Sequence, residues 1–100
     1  MDLALSIDGA TTRFALSGDI DESGAVLLKE QFSRLDLEQT KHVVLDFEHV
    51  RYIGSSGIGK LLLLYKRLGA HGGKLELVRT PVNIRTLFIE LNLDSLFSIQ

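Results

Sequence analysis

Two adjacent serines lie between glycines near the middle of the chain, in the run Gly54-Ser55-Ser56-Gly57-Ile58-Gly59, and a leucine-rich segment from Lys60 to Leu68 follows at once. A serine at the start of a helix lies beside backbone N–H groups that have no partner within the helix, and the helix dipole there favours negative charge. The run therefore predicts a place that holds a phosphate. The phosphate is either part of a bound nucleotide or a group attached to the serine itself.

The nucleotide alternative depends on the spacing of the glycines. Gly54, four intervening residues, Gly59 and Lys60 match a phosphate-binding P-loop up to its last position, where Leu61 replaces the Ser or Thr that binds magnesium. The strand that should feed directly into such a loop is also expected to end early, at Phe47, with residues 48–53 in between. We therefore interpret the match as accidental and expect a domain that neither binds nor hydrolyses ATP.

Composition restricts the class of protein further. The 100 residues are 45% hydrophobic and 24% charged, which is typical of one small globular domain. The net charge of −2 and the lack of a basic run give no support for binding nucleic acid, and the absence of cysteine excludes disulfides and zinc thiolates. No stretch is apolar for long enough to cross a membrane, so we expect a cytoplasmic protein.

The pattern of apolar residues predicts alternating strands and helices. Residues 3–7 and 12–17 alternate like a β-hairpin around Asp8-Gly9, and Gly18-Asp19-Ile20-Asp21 is expected to end the second strand. Asp21 is a predicted N-cap for a helix over residues 22–35. The next unit is a strand, a loop, a helix and a second strand: a short buried strand over 43–47, the serine run, a helix over 58–68 and a strand over 75–78. The two strands of this unit should be parallel neighbours.

Two further features complete the pattern. Thr80 and Pro81 are expected to provide the N-cap and the first turn of a last helix, and residues 93–99 have no firm assignment. In the helix after the serines, five residues should face the sheet: Ile58, Leu61, Leu62, Tyr65 and Leu68. Leu64 lies about 200° around that helix from Leu62, so it is expected to be the more exposed of the two.

These residues together resemble the STAS domains of bacterial anti-sigma factor antagonists. The resemblance rests on the Gly-Asp-Ile-Asp turn, the Val43-Val44-Leu45-Asp46 strand and the Ile53-to-Gly59 run that opens a leucine-rich helix, and it extends in order over essentially the whole chain. It implies an α/β fold, a single STAS domain over residues 1–100, with a mixed sheet of about four strands covered by helices. One departure is that Gly54 stands where many members have an aspartate.

The resemblance also implies a function. An antagonist of this family binds an anti-sigma factor that is also a serine kinase, is released when that kinase phosphorylates it, and is reset by a phosphatase. By position, Ser56 would be the phosphorylated residue, with Ser55 as the second choice. The protein would be a switch without catalytic residues, cofactor or metal, and the ATP would be held by the partner. The expected partner contacts are Asp21, Gly54, Ser55, Ser56, Gly57, Ile58, Lys60 and Leu64.

Simpler roles remain open for the same residues. Ser56 could only cap the helix, Gly57 and Gly59 could permit close packing, and Asp46 could order the loop after its strand. The three histidines, His42, His49 and His71, are interpreted as solvated loop residues because they lack the spacing of metal ligands. Gly54 also leaves a second function open: an adapter or structural subunit of a signalling or lipid-transport complex, without regulated phosphorylation.

Overall fold

A five-stranded mixed sheet in the order β1-β2-β3-β4-β5 forms the framework of the protein, which the computed structural model describes from Met1 to Gln100. The elements in chain order are β1 (Asp2–Asp8), β2 (Thr11–Ile20), α1 (Glu22–Ser33), β3 (His42–Ile53), α2 (Ser55–Ala70), β4 (Lys74–Val78), α3 (Val82–Glu90), a short 3₁₀ helix (Leu93–Ser95) and β5 (Ser98–Ile99). The predicted α/β class is confirmed. The fifth strand lies in the segment that the sequence pattern left unassigned.

The first two strands form the predicted antiparallel hairpin, and the other neighbours in the sheet are parallel. Gly9 adopts φ 60° in the hairpin turn, a conformation that glycine reaches at no steric cost. The expected end of β2 at Gly18 is wrong. Gly18 takes φ 91° and the register shifts on both sides of it, but pairing resumes and continues to Ile20 opposite Ile53. The glycine marks a bulge and not the end of the strand.

All three helices cover the same face of the sheet. Alternate residues of β3, Val43, Leu45 and Phe47, join the apolar sides of the helices in one cluster of 20 buried side chains. Phe14 meets Phe32 of α1 edge-on, and Phe47 meets Phe88 of α3 in the same way. Because side chains alternate along a strand, the opposite face carries polar residues that no helix covers.

Several predicted boundaries need correction. Strand β3 does not stop at Phe47 but runs to Ile53, so it leads directly into α2. Its continuation is paired with β2, beyond the point where β4 ends opposite Asp46. Helix α3 is preceded by Pro81 as its N-cap, so the prediction of Thr80 as a cap is wrong, and the Thr80 hydroxyl is buried without a hydrogen-bond partner.

Candidate functional site

The first turn of α2 is held against the end of β2. Gly54 is the N-cap of α2, with extended backbone at φ −94° and ψ 177°, and its N–H donates to the carbonyl of Ile20 over 3.0 Å. The helical hydrogen bonds begin with the N–H of Ile58, which donates to the carbonyl of Gly54 over 3.1 Å. The end of β3 and the end of β2 therefore fix together where the helix begins.

Ser55 and Ser56 are the first two residues of α2, and both are exposed. The N-cap is a glycine and makes no side-chain hydrogen bond, so no side chain satisfies the free N–H groups of this turn. The alternative in which Ser56 caps the helix is therefore wrong, because Ser56 lies inside the helix and the N-cap is Gly54. Its position combines an accessible hydroxyl with the positive end of the helix dipole.

Gly57 allows this turn to approach the sheet. A Cβ on Gly57 would lie 2.6 Å from Cγ2 of Ile20 and 2.9 Å from Cγ1 of Ile53, and the residue is buried. The prediction that Gly57 permits close packing is confirmed, and its contact with a partner stays a prediction that its burial does not favour. The same packing role is wrong for Gly59, since nothing lies within 4 Å of its Cβ position.

Asp21 lies on the other side of the same surface depression. This depression is a hollow of about 180 Å³ lined by six residues: Asp21, Glu22, Tyr52, Gly54, Ser55 and Ser56. Asp21 caps α1, as the sequence predicts: its carboxylate accepts hydrogen bonds from the Gly24 N–H and the Ser23 hydroxyl, both over 2.9 Å. These donors, the Gly24 N–H first, lower the pKa of Asp21, so the carboxylate beside the serines is ionised at neutral pH.

The predicted exposure of Leu64 is wrong. The Leu64 side chain is 1% exposed, Leu62 is only partly buried, and the outward residue is Leu63 at 54%. The reason is that α2 packs against α1 as well as against the sheet, so its buried side is centred on Leu61, Leu64 and Leu68. Leu64 is therefore a core residue, and its contact with a partner stays a prediction that its burial does not favour. Ile58 packs against the same core, and Lys60 is partly exposed.

Of the two objections that the sequence raises against nucleotide binding, the structure removes one and supports the other. Because β3 leads directly into α2, the objection from an intervening segment is wrong. However, the residues between Gly54 and Lys60 are helical, and their N–H groups do not wrap around a phosphate as those of a P-loop do. Leu61 is fully buried, so nothing at that position faces a metal.

Asp46 has a role that the sequence did not reveal. It lies within β3 and not at its end, is 4% exposed, and accepts hydrogen bonds from Arg13, from Arg79 and from the Glu48 N–H. Arg79, which follows β4 and adopts φ 52°, is the largest cause that lowers the Asp46 pKa to about 2. The carboxylate thus connects β2, β3 and the end of β4 on the uncovered face, and its prediction as a loop-ordering residue at a strand end is wrong.

The histidines are also placed differently from the prediction. His42 and His49 lie in β3, near Glu76 and Glu48 respectively, and only His71 lies outside a strand or helix, at the C-cap of α2. No group of three His, Cys, Asp or Glu residues is arranged to hold a metal ion. None of the helices has both the length and the apolar character needed to cross a membrane.

Comparison with known proteins agrees with this architecture. The chain belongs to the STAS-domain family, because the family model described as "Mlab, STAS domain" matches residues 3–98. It is 26% identical over 95 residues to a STAS-domain containing protein of Pseudomonas aeruginosa, covering 95% of this chain and 93% of that relative. It is 27% identical over 86 residues to the anti-sigma F factor antagonist of Paenibacillus polymyxa, covering 85% of this chain and 71% of the relative.

Solved structures show the same fold. The anti-sigma factor antagonist SpoIIAA in its unphosphorylated form superimposes with a TM-score of 0.80 at 20% identity, covering 99% of this chain and 87% of that chain. The phosphorylated form of SpoIIAA from Bacillus gives the same TM-score of 0.80 and covers 99% of this chain and 91% of that chain. The chain therefore shares the fold of these solved structures.

Proposed function

We propose that this protein is an anti-sigma factor antagonist that binds an anti-sigma serine kinase when Ser56 is unmodified and is released when Ser56 is phosphorylated. The observation that carries the proposal is the exposed hydroxyl of Ser56 in the uncapped first turn of α2, across a shallow hollow from Asp21. The relative from Paenibacillus polymyxa, an anti-sigma F factor antagonist, supports the partner class. The phosphorylated form of SpoIIAA supports the modification.

The position of Ser56 explains how one phosphate would switch binding without unfolding the domain. A phosphate adds about −1.5 to −2 charge and three acceptor oxygens. At the first turn of α2 that charge is favourable within the domain by about 0.3–1 kcal/mol. A partner seated over the hollow would instead have to bury a hydrated dianion, and a loss of about 3 kcal/mol lowers affinity more than a hundredfold.

The proposed mechanism assigns no catalytic group to this chain. The kinase holds ATP, the Ser56 hydroxyl attacks the γ-phosphate, and ADP leaves with the partner while the phosphoserine remains here. Asp21, Gly54 and Ser55 contact the partner around the hollow, and a phosphoserine phosphatase restores the serine. Ser55 is the alternative acceptor because it is exposed in the same turn. Such a cycle would take place in the cytoplasm.

An affinity pull-down from the source organism with mass spectrometry of both the partner and residues 55 and 56 tests the proposal. The expected result is an anti-sigma kinase that, with ATP, phosphorylates wild type and Ser55→Ala but not Ser56→Ala. Phosphate that persists on Ser56→Ala would move the acceptor to Ser55. Recovery of a stable complex in which ATP phosphorylates neither serine would overturn the switch.

A stable complex that ATP does not phosphorylate would favour the competing function, a STAS adapter or structural subunit of a larger complex. The observation in its favour is Gly54, which stands where many members of the family have an aspartate. An adapter would keep its partner whatever residue occupies position 56, so the two functions differ in a measurable property.

A further inference from the structure

The surface between α1 and α2 contains a groove that is separate from the hollow at Ser56. It encloses about 280 Å³, and its floor is formed by Phe32, Leu63 and Leu64, while three cationic side chains, Lys29, Lys60 and Arg67, stand around it. Phe32 and Leu64 are buried, but Leu63 is 54% exposed. Leu63 is therefore the apolar residue of the groove that a partner can reach, and cationic side chains surround it.

The charge of this groove is not balanced within the protein. No carboxylate lies within 4.0 Å of Lys29, Lys60 or Arg67, although four arginine–carboxylate pairs within that distance occur elsewhere in the chain. None of the residues that line the groove is acidic. The only polar contact recorded for these cations is the hydrogen bond from Arg67 Nη1 to the carbonyl of Phe32, over 3.1 Å. In a chain with a net charge of −2, this is a concentrated positive region.

A stripe of residues on one side of α2 leads from Ser56 to the groove. Ser56, Lys60, Leu63 and Arg67 are spaced by four, three and four residues, so they form one stripe on the helix. At a rise of 1.5 Å per residue, the stripe extends about 16 Å from Ser56 to Arg67. A partner that covers Ser56 and extends along α2 therefore meets the apolar floor and then the cations.

We infer that the α1–α2 groove binds an acidic amphipathic helix of the partner protein, with apolar residues against Leu63 and carboxylates beside Lys29, Lys60 and Arg67. In helix-in-groove recognition the apolar face of a helix packs into an apolar groove, and flanking charges of the opposite sign add specificity. Leu63 and the three cations supply these two elements here. The inference rests on the proposed function only for the identity of the partner. The charge and shape of the groove define the chemistry of the helix on their own.

The test uses a synthetic helical peptide with leucines on one face and glutamates on the other, titrated into the full-length ¹⁵N-labelled protein. The expected result is amide shifts confined to the groove-lining parts of α1 and α2, and no binding of the same peptide with lysines in place of the glutamates. Lys60→Glu should weaken binding about tenfold, because it replaces an attraction with a repulsion. Lys66→Glu is the matched control, since Lys66 is an exposed lysine of the same helix outside the groove.

Leu63→Ser provides a second variant that does not depend on charge. Because Leu63 is exposed, this variant should remain folded by circular dichroism and still lose affinity for the peptide. Equal weakening by Lys60→Glu and Lys66→Glu, or shifts spread over the whole surface, would overturn the inference. So would stronger binding to phosphatidylglycerol vesicles than to the peptide, which would make the groove a lipid-binding surface. None of these readouts depends on Ser56, so the inference and the kinase switch fail separately.

Discussion

The hydroxyl of Tyr52 lies 3.0 Å from the point that a Cβ on residue 54 would occupy. Tyr52 is 54% exposed and lines the hollow with Ser55 and Ser56, so its ring partly fills the space beside the N-cap of α2. A side chain at position 54 would therefore meet the tyrosine hydroxyl. The contact is with the free end of an exposed side chain, which can move at little cost.

Gly54→Asp should therefore be tolerated and should stabilise the protein slightly. An aspartate at the N-cap can accept a hydrogen bond from the first turn of α2, and it exceeds glycine at this position by a few tenths of a kcal/mol. For a domain of this size that corresponds to a rise in Tm of about 1–3 °C in a thermal melt. A fall in Tm would mean that Tyr52 cannot move aside; the double variant Tyr52→Ala/Gly54→Asp then identifies that cause.

The two glycines inside α2 should respond in opposite directions to the same change. Gly57→Ala places a Cβ against Ile20 and Ile53 and should destabilise the protein by about 1–3 kcal/mol, because the buried contact is too short to be relieved locally. Gly59→Ala meets open space and should stabilise it by up to about 1 kcal/mol through helix propensity. Chemical denaturation of both variants measures the difference. Equal effects would contradict the packing of this turn against β2.

The leucines of α2 separate the core from the proposed docking groove. Leu64→Ala removes a fully buried side chain and should cost about 2–5 kcal/mol of unfolding free energy. Leu63→Ala removes an exposed one and should change that free energy by less than about 0.5 kcal/mol. Urea unfolding checks both values. A similar loss for the two variants would mean that the outer side of α2 is buried after all.

The Asp46 network predicts how stability depends on pH. The Asp46 pKa is 3.8 when unperturbed and about 2 in the fold, so the unfolded chain binds more protons between these values. The network therefore contributes stability above pH 3.8 and loses it as the pH falls towards 2. Because both guanidiniums are exposed, we expect Asp46→Asn to cost about 1–2 kcal/mol at neutral pH.

Urea denaturation at several pH values checks this dependence. The difference between wild type and Asp46→Asn should shrink as the pH falls and vanish near the bottom of that range. Arg79→Lys keeps the charge but loses the contact through two nitrogens. The unfolding free energy of this variant should therefore lie between those of wild type and Asp46→Asn. If the difference in unfolding free energy between wild type and Asp46→Asn stays constant with pH, the charge of the Asp46 carboxylate contributes nothing to stability.

Local patterns in the sequence predicted much of the fold. Asp21 as an N-cap, the Asp8-Gly9 turn and the parallel pairing of β3 with β4 follow from short-range rules of capping, turn geometry and crossover connections. The prediction that the helix begins at Ile58 is wrong, because α2 begins at Ser55 and includes both serines. The cap and the turn depend on residues within a few positions of each other, and the strand pairing depends on a general rule of chain connection; all three agree with the structure.

The errors arose where a distant contact decides the outcome. Leu64 is buried because α1 packs on α2, and no periodicity within α2 contains that information. Asp46 is held within β3 by Arg13 and Arg79, each 33 residues away along the chain. The continuation of β3 to Ile53 depends on pairing with β2 across a bulge. Polar residues at alternate positions of the strands, Arg13 in β2 and Asp46 and Glu48 in β3, were the signal that could have indicated an uncovered sheet face.

The central claim is that the state of Ser56 controls partner binding, and the affinity of the recovered kinase for three forms of the protein tests it most directly. Calorimetric titration should give similar affinities for wild type and Ser56→Ala, at least about tenfold weaker binding for Ser56→Asp, and release by ATP of wild type alone. All three should have closely similar circular dichroism spectra, because the first helical turn tolerates the negative charge. Equal affinities for the three forms, with no release by ATP, would contradict the switch.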